Sequence, residues 1–114
     1  MNDLVRRLTE EQDIEVSTRP ERNLHYFKAA VDRNYVHLKF IHTRGGTELG
    51  FPIDKERSDL SGADWEKGTG TLKLVGELTL DYVKVRFHSK VELASLDGKG
   101  YLEVLEDLSG DPSN

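Results

Sequence analysis

Between Tyr35 and Asp54, apolar and polar residues alternate with a period of two, and few local structures can accommodate such a run. Val36, Leu38 and Phe40 alternate with His37, Lys39 and Ile41, and after Thr43-Arg44-Gly45-Gly46 the residues Thr47, Leu49, Phe51 and Ile53 alternate with Glu48, Gly50 and Pro52. This predicts a β-hairpin with Val36, Leu38, Phe40, Leu49, Phe51 and Ile53 on its inward face. A turn centred on Arg44-Gly45 would pair Phe40 with Leu49, Leu38 with Phe51 and Val36 with Ile53, and would point His42 inward opposite Thr47. A one-residue slip would send every apolar side chain to the wrong face. Pro52 has no N–H to give to a ladder, so the second strand is expected at a sheet edge.

Alternation resumes after Gly70. Leu72, Leu74, Leu78, Leu80 and Tyr82 share even parity, and a turn at Val75-Gly76-Glu77 would pair Leu74 with Leu78 and Leu72 with Leu80. Parity then switches to Val83, Val85, Phe87, Val91 and Leu93, which reads as a β-bulge at Asp81-Tyr82 within one long bent strand over 78–94. Asp97-Gly98 is a two-residue hairpin signal that would set Leu93 against Leu102, Val91 against Val104 and Glu92 against Glu103.

The N-terminal third reads differently. Leu4, Val5 and Leu8 form a narrow helical stripe within 2–12, with Asn2 or Asp3 as cap, and 13–17 is a short extended segment. Thr18 and Glu21 have capping-box spacing with Pro20 in the first turn, followed by Leu24, Phe27 and Val31 at helical spacing. A helix over 20–32 is preferred to a strand pairing 25–31 with 35–42. Residues 54–69 are polar and rich in turn formers. They predict a loop with a short helical turn near 63–66 and Trp65 as its anchor. The fold class is therefore α+β: a curved antiparallel meander of four to five strands with one or two N-terminal helices on one face. Residues 1–108 form one domain and 109–114 a disordered tail.

Composition narrows the chemistry. The 114 residues contain no cysteine, which excludes disulfides and thiolate chemistry. No run approaches the roughly 20 apolar residues of a membrane span, and the N-terminus lacks a signal-peptide core, so no membrane association and a cytoplasmic location are expected. Net charge is −5, but Glu103 onward carries four acids and no base, leaving 17 acids to 16 bases in the preceding 102 residues.

The most patterned charge is Lys84, Arg86, His88 and Lys90, which share one face of a strand about 7 Å apart. Lys39, Lys73 and His37 are candidates for the same face, with Tyr35 and Tyr101 nearby. A solvated sheet face accounts for most such rows. The functional alternative is a docking surface for an acidic protein, and a weaker one is stacking and phosphate contact with single-stranded nucleic acid. The near-neutral body disfavours nucleic acid. His25, His37, His42 and His88 lack metal-ligand spacing, and neither a dinucleotide fingerprint, a phosphate loop, a calcium loop nor a nucleophile elbow is present, so no metal, cofactor or catalytic residue is assigned. Asp81 and Tyr82, at the expected bulge, join Trp65 and Tyr26 as pocket candidates between sheet and helices. The leading expectation is a non-catalytic protein-binding or accessory domain. The alternative is a small-molecule binder or small enzyme using that pocket.

Overall fold

The structure, a computed structural model, describes residues 2–108; the tail expected at 109–114 lies outside the described residues. Six antiparallel strands and two short helices occur in the order α1 (Asp3–Leu8), β1 (Gln12–Ser17), α2 (Leu24–Asp32), β2 (Tyr35–Phe40), β3 (Thr47–Pro52), β4 (Thr71–Leu80), β5 (Val83–Glu92) and β6 (Asp97–Asp107). The α+β class holds, with six strands where four to five were expected. The added strand is β1, the short extended segment, and it is central: it pairs with β2 on one side and β6 on the other.

The sheet order is β3-β2-β1-β6-β5-β4. Its two edges approach each other where the Asp54 N–H donates to the Val75 carbonyl at 2.7 Å. The sheet is thus a nearly closed barrel whose circular order follows the chain. The free edge of β4 is covered by the 54–59 segment: Ser58 Oγ bonds both the N–H and the carbonyl of Val75, and Asp59 bridges Lys73. This cover buries Val75 although its parity points it outward.

Inside lie Ile14, Val16, Leu38, Phe40, Phe51, Leu72, Leu74, Val85, Phe87, Val91 and Leu102, all essentially inaccessible to water. Phe87 is stacked on Phe40, with ring centroids 4.9 Å apart, and touches Phe51 at 5.3 Å. Each such ring contributes about 2–3 kcal/mol by leaving water. From the helices, Val5, Leu8, Phe27 and Ala30 join the same core.

The predicted inward face of the β2–β3 hairpin is buried as expected, and β3 with Pro52 is an edge strand. Its register is shifted by two residues: Phe40 faces Thr47, Leu38 faces Leu49 and Val36 faces Phe51. The loop spans 41–46, not two residues, because Gly45 and Gly46 both take positive φ and the Gly46 N–H closes on the Thr43 carbonyl. A shift of two preserves parity, so the core face is unaffected. His42 is carried out of the ladder and does not point inward; it is exposed and bonded to Asp13 at 2.7 Å.

Three further expectations are corrected. Residues 71–80 form one uninterrupted strand, so there is no turn at Val75-Gly76-Glu77, and Asp81-Tyr82 is the tight turn of the β4–β5 hairpin, not a bulge. Both turn residues have positive φ, 48° and 64°, the conformation a two-residue hairpin turn demands. Across a two-residue turn, opposed residues have opposite parity, which explains the switch. The β5–β6 turn lies at 93–96 with Leu96 at positive φ, and Asp97-Gly98 belongs to β6. Gly98 is there because a Cβ would overlap the Lys90 carbonyl. The resulting register places Glu92 opposite Asp97, Val91 opposite Gly98 and Arg86 opposite Glu103, and the bulge that does exist falls on β6, where Leu105 is passed over.

The helices also begin and end differently. α1 is capped by Asn2, whose side chain accepts the Val5 N–H at 2.9 Å, but it stops at Leu8 because Gln12 is taken by β1 and its amide donates to the Arg7 carbonyl. The helix preferred over 20–32 is present as α2, capped by Asn23 accepting the Tyr26 N–H. Thr18 is not its cap: its hydroxyl donates to the Glu21 carbonyl, and Pro20 follows a cis peptide bond outside the helix. No helical turn forms near 63–66; Asp64 and Thr69 close a turn instead. Trp65 does anchor this loop, packing on Phe27 at 5.9 Å with the Lys28 ammonium over its ring.

Candidate functional site

On the outer face of the barrel the register sorts polar side chains into rows that run across the strands. Two residues along each strand separate adjacent rows, a spacing of roughly 7 Å. One row holds Glu92 on β5, Asp97 on β6 and Glu15 on β1. The next holds Lys73 on β4, Lys90 on β5, Lys99 on β6 and Asp13 on β1, each directly opposite its neighbour. The third holds His88 and Tyr101, whose rings stack at 4.9 Å and 14°. The fourth holds Glu77, Arg86 and Glu103.

These rows differ in how far their charges are satisfied. Arg86 donates to Glu77 at 3.2 Å and to Glu103 at 3.3 Å, with its side chain only 18% exposed. Its Nε is buried with no hydrogen-bond partner among the described residues, and the two carboxylates, Glu77 foremost, raise its pKa. The His88 imidazole donates to Glu103 at 2.8 Å, and this bond chiefly holds the Glu103 carboxyl below its ordinary value. Lys84 reaches Glu77 at 3.9 Å. This end of the predicted basic row is therefore a closed network of cations and acids.

The lysine row is not closed. Lys99 contacts Asp13, whose carboxyl is held low by Lys99 first and His42 second. Lys73 lies beside Asp59, and neither Lys73 nor Lys90 makes an ion pair among the described residues. Like charges placed directly opposite in a sheet repel. A shallow groove of about 280 Å³ runs along this row, lined by Lys73, Lys90, Lys99, His88, Tyr101 and Glu11 among others.

Among the residues singled out from sequence, Lys84, Arg86, His88 and Lys90 share the outer face of β5. Lys39 lies on β2 between Glu15 and Glu48, separated from β5 by β1 and β6. The pocket candidates are not brought together. Asp81 and Tyr82 form the exposed β4–β5 turn, Tyr82 with 74% of its surface in water; Trp65 sits on Phe27; and Tyr26 lines a separate groove of about 260 Å³ with Arg33, His37, Arg19 and Glu48. Lys99 was missed because a turn at Asp97-Gly98 would set it opposite Leu96 and away from Lys90. Only the true register sets it against Lys90. Among the described residues no cluster of three His, Asp or Glu can hold a metal ion, and no helix is long and apolar enough to cross a membrane. No family model matches the chain, and no curated protein sequence matches it significantly.

Proposed function

We propose that the protein is a non-catalytic binding domain that docks an acidic segment of a partner protein on the outer face of β4–β5–β6. The observation that carries this reading is the alignment of Lys73, Lys90 and Lys99 in directly opposed positions. Such a row costs folding stability, and an anionic partner relieves it. The stacked His88–Tyr101 pair beside it adds aromatic contact of the kind enriched at interfaces. A nucleic-acid backbone fits less well, because it needs a continuous basic track, and acids interrupt this face on both sides of the lysines. The test is affinity capture with the chain carrying Lys73→Glu, Lys90→Glu and Lys99→Glu. Loss of the captured partner with an unchanged far-UV CD spectrum is expected; unchanged capture contradicts the assignment.

A second reading rests on the Tyr26 groove between α2 and the sheet, which could serve a small ligand. Its volume lies near the lower end of ordinary ligand sites. A fragment screen by NMR is expected, on this reading, to shift Tyr26, His37 and Arg33 together, and silence at those residues counts against it.

A further inference from the structure

The basic row is one residue wide, and its neighbours decide what kind of anion it accepts. On one side, about 7 Å away, stand Glu92 and Asp97. On the other, beyond the His88–Tyr101 stack and about 13 Å away, stand Glu77 and Glu103. A run of carboxylates laid along the strands would bring negative charge against negative charge at both ends. Asp13 and Glu11 at the β1 end of the groove oppose a long acidic run laid across the strands as well. Space and charge together favour an anion that is concentrated at one point.

We infer that the row is a receptor for a single phosphoryl group carried on a side chain of the partner, which refines the docking reading above and rests on it. A phosphoryl group presents close to two negative charges and three acceptor oxygens on one atom. Lysines on adjacent strands are about 4.8 Å apart, so the flexible Lys73 and Lys90 ammonium groups can converge on one such centre, and Lys99 joins them by exchanging Asp13 for it. A carboxylate offers half the charge and two oxygens, and leaves part of the row unrelieved. The partner backbone then crosses over the stacked rings of His88 and Tyr101 alongside.

The experiment is a heteronuclear NMR titration of the full chain with four probes: the capped peptide Ala-Ala-phosphoserine-Ala-Ala, its unphosphorylated form, a capped tri-glutamate peptide and inorganic phosphate. The phosphopeptide is expected to bind at least tenfold more tightly than tri-glutamate, to shift Lys73, Lys90, Lys99 and Tyr101, and to lose that binding in the Lys90→Glu variant but not in Lys55→Glu. Tri-glutamate binding equal to or tighter than the phosphopeptide overturns the inference while leaving the docking reading standing. Inorganic phosphate binding as tightly as the phosphopeptide overturns the assignment to a partner's side chain. Phosphopeptide binding that survives Lys90→Glu overturns the site. Loss of partner capture in the triple-lysine variant, with no phosphopeptide binding in the parent, overturns the inference alone.

Discussion

Phe87 keeps its place in the core because the residues around it leave it room. Its cross-strand neighbour on β4 is Gly76, and a Cβ at Gly100 would stand 2.7 Å from its ring. Gly76 also lets β3 approach β4, since a Cβ there would overlap Phe51 and the Pro52 carbonyl. Gly76→Ala is therefore expected to destabilise the fold by about 2 kcal/mol, the usual scale for overpacking, measured as a lowered urea midpoint. A neutral substitution would mean that the barrel does not close at this point. Glu103 supplies a pH test. Its folded-state pKa is depressed below its ordinary 4.5, so its contribution is present above that value and is lost as the pH falls through the folded value. Glu103→Gln should lower the urea midpoint at pH 7, and the gap to the parent should close on acidification below 4.5. A gap that does not narrow as the pH falls contradicts the ion-pair role.

At the scale of elements, the β4–β5–β6 ribbon combines two features that local sequence conceals. Its first turn places Asp81 and Tyr82 at positive φ, a conformation costing about 1 kcal/mol or more for a residue such as tyrosine. Replacing the pair by Asn-Gly should stabilise the protein by about 1 kcal/mol in thermal or urea unfolding; a destabilised variant would favour the bulge reading instead. The second feature is the lysine row. Lys90→Glu converts two repulsive cross-strand contacts into attractive ones and is expected to raise stability by about 0.5 kcal/mol while abolishing partner binding. A fall in stability would show that the lysines do not oppose one another as described. Parity was enough to place Lys84, Arg86, His88 and Lys90 on one face, because it depends only on period two. Register was not, because it depends on where each turn falls. Tyr82 carried no turn signal, while Gly98, present for close backbone approach, imitated one.

For the whole molecule, the near closure of the barrel rests on β1, the shortest apolar signal in the sheet. Ile14 and Val16 are its only buried residues, yet the strand joins the β2–β3 hairpin to the β4–β5–β6 ribbon. Long-range pairing of this kind is not written in local pattern. The inward face of the β2–β3 hairpin was legible, since burial follows alternation directly. The candidate site was legible only in part: its β5 members stood out, whereas Lys73 and Lys99 gained meaning from strands distant in sequence. The central claim is that a partner docks on these three lysines. It is tested most directly by lysine-reactivity footprinting of the chain alone and with its captured partner. The account predicts protection of Lys73, Lys90 and Lys99 with Lys28, Lys55 and Lys67 unchanged. Protection confined to the latter three, or none on the row, would contradict it.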